Sequence, residues 1–264
     1  MEMAGKVCVV TGGATGIGEG IARALQAAGA AGVVVADIDE AGALAVATSL
    51  GPKALAVRCD VSKEADIQAL VAATRERFGR VDVYVSNAGI LGKAGGLELG
   101  DPLWDAMWAI HGMAHVWAAR AVVPEMVARH QAGEEGGYFV VTASAAGLLT
   151  IVESAPYAVT KHAAVAFAEW LRVAYGRRGV RVSCLCPQSV MTNMVKNHNQ
   201  TGGSAGVDGI LTPAQVAQEV LAVMREESFL VLPHPQVADY FKAKANHYDR
   251  WLGGMQKLYV QHMG

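Results

Sequence analysis

Apolar residues run along this chain in short blocks of two kinds. "KVCVVT" (6–11) and "GVVVAD" (32–37) are continuous apolar runs of strand length. Between and after them, "GIGEGIARALQAAG" (16–29, closed by Gly29), residues 39–50 and Glu64 to Phe78 carry apolar positions at helical spacing. The alternation continues. A third strand is predicted within 53–61, a fourth at 81–87, and one long helix over roughly 101–130. The Gly-rich turn "GEEGG" then leads to a fifth strand at 138–144, and a helix runs from Tyr157 to Gly176. Strands six and seven are predicted at 180–187 and 229–233. Strands that are apolar on both faces and separated by helices predict an α/β fold, a parallel sheet of about seven strands with helices on both faces. Right-handed crossovers make it doubly wound.

Nothing between residues 5 and 233 reads as a domain linker, so residues 1–264 are expected to form a single domain. The polar, Gly-rich "NHNQTGGSAGVDG" (197–209) reads as a mobile loop, with 193–211 as a lid over a substrate. Residues 234–264 are expected to form a helical extension. Its aromatic, amphipathic pattern suits either covering a pocket or packing on another subunit, the second being favoured.

Composition narrows the function classes. Hydrophobic residues make up 52% and charged residues 17%, with a net charge of −2. That balance points to neither nucleic acid nor an anionic membrane as partner. No apolar run approaches the roughly 20 residues of a membrane helix. No leader pattern opens the chain, so a cytoplasmic location is expected. Cys8, Cys59, Cys184 and Cys186 lie in apolar, strand-like runs without a C-x-x-C pair, and read as buried reduced thiols.

Candidate chemistry begins after the first strand. "TGGATGIG" sets Gly12, Gly16 and Gly18 in a turn whose backbone N–H groups and helix N-terminus can face a pyrophosphate. Asp37 ends the second strand 19 residues after Gly18, where an acid accepts hydrogen bonds from ribose hydroxyls and repels a 2′-phosphate. With no Arg or Lys in "VVADIDEAG", the charge favours NAD over NADP. Asp37 has a second reading, as a helix cap, a role Asp39 also suits. The fold expected is therefore Rossmann-like, with dinucleotide binding and catalysis in one domain.

"SAPYAVTKHAAVAF" puts Tyr157 and Lys161 on one helical face, and Ser144 lies 13 residues upstream of the tyrosine. An ammonium beside a phenol stabilises the phenolate, and a serine hydroxyl can hydrogen-bond a carbonyl. On "TGGATGIG", Asp37, "CDV" (59–61), "NAG" (87–89), Ser144, "YAVTK" and "PQSVMT" (187–192), the chain resembles the short-chain dehydrogenase/reductase family over residues 5 to 233. The resemblance implies that Tyr157 is the general acid/base and Ser144 polarises the carbonyl. It implies that Lys161 holds the nicotinamide ribose and depresses the tyrosine's pKa. Asp60 and Val61 would meet the adenine, and Asn87, with Ala88 and Gly89, would support the crevice. Pro187, Val190 and Thr192 would face the nicotinamide, and Thr15, Ile17 and Ile38 complete the expected cofactor contacts. Family members of this length imply a homodimer or homotetramer.

"AIHGMAHVW" (109–117) departs from the family pattern, with His111 where an asparagine is usual. One reading makes His111 a proton relay behind Lys161; the other makes it a neutral packing residue. Gly112, costing about 1 kcal/mol in a helix, marks close packing or a distorted turn. The i, i+4 pair with His115 suggests zinc, but the glutamate of the metalloprotease motif and a third ligand are missing, so no metal is expected and His115 reads as a packing or interface residue. Gln188, in place of the usual glycine, is expected to narrow the pocket or offer its amide. Leu91, Leu148, Leu149, Ile151, Val152, Met191 and Met194 are the expected apolar wall. The activity expected is NAD-dependent interconversion of a hydrophobic secondary alcohol and its ketone. A ketoacyl-type reductase and a weakly catalytic NAD-binding regulatory module are the alternatives.

Overall fold

The computed structural model describes residues 1–193 and 203–264. Seven parallel strands form one sheet: β1 (Val7–Thr11), β2 (Gly32–Asp37), β3 (Ala54–Arg58), β4 (Val83–Ser86), β5 (Gly137–Thr142), β6 (Val180–Leu185) and β7 (Leu230–Val231). Their order is β3-β2-β1-β4-β5-β6-β7. The order reverses between β1 and β4, which opens a crevice beyond the C-terminal ends of those strands.

Helices cover both faces. α1 (Gly16–Ala27), α2 (Glu40–Leu50) and α3 (Glu64–Phe78) connect the first four strands. α4 (Asp101–Trp108) and α5 (Ala114–Gln131) follow β4, the short α6 (Ala146–Leu149) and long α7 (Ala155–Tyr175) follow β5, and α8 (Pro213–Glu226) precedes β7. The extension forms α9 (Gln236–Asn246) and α10 (Tyr248–Met263). One core layer sets Tyr84, Phe139 and Val182 against Val122, Met126 and Leu171 from α5 and α7. The other sets Val10, Val35 and Val140 against Ile21 and Leu25 of α1 and Val220 of α8. Side chains alternate across each strand, so strands that are apolar throughout fill both layers at once.

Three local features differ from the sequence pattern. The helix expected over 101–130 is broken by a π-helical turn at Ala109–Met113. Gly112 fits there because a β-carbon would come 3.2 Å from the Trp108 ring. β5 stops at Thr142 rather than residue 144, leaving Ser144 on the loop beyond the strand. α7 begins two residues before Tyr157, since the Ser154 hydroxyl accepts the Tyr157 N–H at 3.4 Å and caps its first turn. All four cysteines are buried free thiols. Among the described residues no helix is long and apolar enough to cross a membrane.

Candidate active site

The turn after β1 is shaped by its glycines. Gly12 and Gly16 adopt φ of +65° and +60°, a region that side chains rarely enter. A β-carbon on Gly12 would stand 2.8 Å from the Ala88 Cα, and one on Gly16 would stand 2.9 Å from the Thr192 methyl. The Asn87 amide donates to the Thr11 carbonyl at 2.9 Å, tying the end of β4 to that of β1. The helix-cap alternative for Asp37 falls away, because Asp39 caps α2 by accepting the Gly42 N–H at 3.0 Å. The Asp37 carboxylate accepts from the Ala14 N–H and the Asp39 N–H, both at 3.0 Å. Each oxygen keeps a lone pair for another donor.

These groups open onto one cavity of about 500 Å³. Every residue expected to hold the cofactor lines it, from Gly12, Thr15, Gly16, Ile17 and Gly18 through Asp37, Ile38, Asp60 and Val61 to Pro187, Val190 and Thr192. The loop at Asn87, Ala88 and Gly89 crosses the middle of the cavity, and Ser144, Tyr157 and Lys161 lie at its far end. The glycine cradle and the oriented Asp37 carboxylate fit a dinucleotide. Ser62 donates twice to Asp60, which holds that carboxyl below its ordinary range.

At the far end, Ser144 Oγ accepts the Ala146 N–H at 3.1 Å and donates to the Pro187 carbonyl at 3.4 Å. Tyr157 is 8% exposed. Burial pushes its phenol above the ordinary value, and a hydrogen bond with Ser144 opposes the push. Lys161 Nζ donates to the Thr142 carbonyl at 3.1 Å and stands 5.6 Å from the centre of the Tyr157 ring. Burial brings its ammonium down to about 8, with Cys184 and Cys186 pulling the other way. Desolvation thus sets the direction at Tyr157, and the Lys161 ammonium sits over its ring.

His111 is fully buried in the π-helical turn. Its Nε2 accepts the Ile90 N–H at 3.0 Å, and its Nδ1 lies 3.0 Å from the Thr160 hydroxyl. A backbone N–H can only donate, so Nε2 is bare and Nδ1 carries the proton. The Thr160 hydroxyl itself donates to the Pro156 carbonyl at 2.8 Å. Burial and the Lys161 charge hold the imidazole neutral, well below its ordinary pKa. Both ring nitrogens are engaged by protein groups, which favours the packing reading of His111 over the relay. His111 ties the loop after β4 to α7 and sets its ring edge-on to Tyr157 at 5.5 Å. His115 faces elsewhere, with Nδ1 2.7 Å from the Ser86 hydroxyl. Among the described residues no group of His, Cys, Asp or Glu is gathered to hold a metal ion.

The expected substrate wall is only partly assembled. Ile151, Gln188 and Leu91 line the cavity. Leu148 and Leu149 do not, since the turn of α6 points them into the core. Val152 is not among the lining residues, and Met191 is 42% exposed on the loop after β6. Met194, like most of the first half of the expected lid, lies outside the described residues. Ile90, Ile110, Ser189 and Ala205 join the wall without having been singled out in the sequence. Ser189 lay within the "PQSVMT" motif, Ala205 within the expected lid and Ile110 beside His111; Ile90 carried no signal.

A Rossmann-like crevice ending in a serine and a buried tyrosine and lysine defines a nicotinamide-binding oxidoreductase. Residues 6–203 match the short chain dehydrogenase family model, and the chain belongs to that family. Borneol dehydrogenase of Lavandula x intermedia is 33% identical over 248 residues, covering 90% of each chain. The 1-deoxy-11-beta-hydroxypentalenate dehydrogenase of Streptomyces exfoliatus is 34% identical over 240 residues, covering 87% of this chain and 83% of its own. A short-chain dehydrogenase/reductase from Burkholderia phymatum, solved in complex with NAD, superposes with a TM-score of 0.86 at 28% identity, covering 94% of this chain and 96% of its own.

Proposed function

We propose that the protein interconverts a hydrophobic secondary alcohol and its ketone, using NAD(H). The observation that carries this reading is that Ser144, Tyr157 and Lys161 share one cavity with the glycine turn and Asp37. When bound, the nicotinamide supplies or accepts the hydride. The Tyr157 hydroxyl gives its proton to the ketone oxygen in reduction and takes it back in oxidation. Ser144 donates a hydrogen bond to the same oxygen as charge develops there. Lys161 keeps a positive charge behind the phenol, and its ammonium is the group available to a ribose hydroxyl. Gly12, Gly16 and Gly18 would seat the pyrophosphate, and Asn87 braces the crevice between them and the reacting end.

Two observations support the finer choices. Asp37, with no cation beside it in the cavity wall among the described residues, repels a 2′-phosphate and so favours NAD over NADP. Leu91, Ile110 and Ile151 give the substrate end an apolar wall, and the relatives named for borneol and 1-deoxy-11-beta-hydroxypentalenate support a substrate with a hydroxyl on a largely hydrocarbon frame. Among the described residues Lys161 is the only cation in that wall, which gives no support to a basic cluster for the phosphates of an acyl carrier and disfavours a ketoacyl reductase. The complete serine–tyrosine–lysine set disfavours a purely regulatory NAD-binding module. The test is NADH formation over a panel of cyclic and acyclic secondary alcohols. Tyr157→Phe is expected to lose about 10²- to 10⁴-fold in turnover with NAD⁺ binding intact, and turnover that survives this change refutes the assigned chemistry.

A further inference from the structure

The segment after α6 carries a strained residue and a carboxylate that the chemistry above does not use. Thr150 is β-branched yet adopts φ +81°, a conformation that persists only where its surroundings enforce it. Next to it, Ile151 lines the cavity. Two residues on, Glu153 reaches across to the turn at 203–206. One carboxylate oxygen accepts the Ser204 N–H at 2.6 Å and the other accepts the Ser204 hydroxyl at 2.8 Å. Gly203 is matched to this acid: it adopts φ +56°, and a β-carbon there would stand 2.8 Å from the Glu153 oxygen. The far side of the same turn is tied to the loop after β6, where the Ser189 N–H donates to the Ala205 carbonyl at 3.2 Å. Ala205 and Ser189 line the same cavity as Ile151.

The C-terminal extension meets the same segment twice. His262, in the last turn of α10, stands 3.5 Å from the Glu153 carboxylate. Lys244 of α9 is 9% exposed and donates to the Leu148 carbonyl at 2.6 Å, at the end of α6. The extension therefore packs against the segment behind the cavity of its own chain.

We propose that Glu153 is a specificity-determining positioning residue. Its carboxylate staples the 203–206 turn across the substrate end of the crevice and so sets the distance between Ile151 and Ala205. Charge-assisted hydrogen bonds to a backbone N–H and a hydroxyl of the same residue fix both the position and the rotation of that turn. Glu153 does not touch the reacting atoms, so its loss acts on substrate fit rather than on proton transfer. This inference rests on the alcohol–ketone reading of the site.

The experiment compares wild type with Glu153→Ala, Glu153→Gln and Ser204→Ala. In Glu153→Ala, KM for a bulky cyclic ketone is expected to rise about tenfold, with kcat within about twofold and NAD⁺ affinity unchanged, whereas a small acyclic ketone is affected less. Glu153→Gln, which keeps one acceptor oxygen, is expected to fall between. Amide hydrogen exchange, read without substrate, is expected to accelerate at 204–206 in Glu153→Ala while the β5 and β6 amides stay protected. Unchanged exchange at 204–206 overturns the staple whatever the enzyme turns over. Faster exchange with an unchanged KM ratio between bulky and small ketones overturns the specificity role. A wild type that turns over no secondary alcohol refutes the proposed function, and the specificity role with it, while the exchange arm still decides the staple.

Discussion

Acid should unfold this protein through its buried histidines, and His115→Leu isolates one of them. His115 is 1% exposed, its Nδ1 bonds Ser86, and its Nε2 has no hydrogen-bond partner among the described residues. Burial, helped by the Lys161 charge, brings its pKa from 6.5 to about 3. The folded state thus binds fewer protons than the unfolded chain between those values, so this contribution to stability is present above 6.5 and lost as the pH falls toward 3. Between about pH 7.5 and pH 5 the unfolded histidine takes up its proton while the folded one does not, which costs about 2 kcal/mol. His115→Leu gives up the Ser86 bond, worth about 1 kcal/mol, and removes an unpartnered ring nitrogen, so its stability near pH 7.5 should lie close to wild type. Its loss on moving to pH 5 should be about 2 kcal/mol smaller than in the wild type. Urea unfolding followed by circular dichroism at the two pH values reads that difference of differences. An equal loss in both proteins would mean that His115 is protonated in the fold, and the reasoning from burial fails.

Three further outcomes follow from the site. Because Lys161 is brought down to about 8, kcat/KM for ketone reduction should fall as the pH rises through that value and the ammonium is lost; a profile flat to about pH 10 contradicts this. Asp37→Ser should weaken NAD⁺ binding and admit NADP⁺, shifting the preference by about tenfold or more, since about 1.4 kcal/mol suffices; titration with both cofactors checks it. His111→Asn keeps an acceptor for the Ile90 N–H and should stay within a few-fold of wild-type turnover, whereas His111→Leu leaves that N–H unpaired and should cost about 1–3 kcal/mol of stability. Neither change should move an inflection in the pH–rate profile near neutrality, because His111 is held neutral.

The parts of the site legible in the sequence are those whose chemistry is local. The glycine turn was readable because positive φ and close neighbours exclude side chains at Gly12 and Gly16. Tyr157 and Lys161 were readable as a pair because four residues make one helical turn. Ser144 was placed to within two residues of the strand end. Leu149 was not, since helical phase decides whether an apolar residue faces the core or the crevice, and the four-residue α6 is too short to have a readable phase. The π-helical turn left only the glycine at 112 as its trace.

The order of apolar strands and helices, the phosphate turn, Asp37 and the serine–tyrosine–lysine set were determined by the chain itself, because each depends on spacing within a few residues or on a period of burial. Tertiary structure alone decided the rest. The tautomer and role of His111 depend on partners 21 and 49 residues away. The direction of the Tyr157 shift depends on how much water the fold excludes. The joining of Glu153, 51 residues from Ser204, to that turn and to the end of α10 depends on where the chain returns. Hydrogen bonds and desolvation act through space, and no periodicity along the chain records which distant groups will meet.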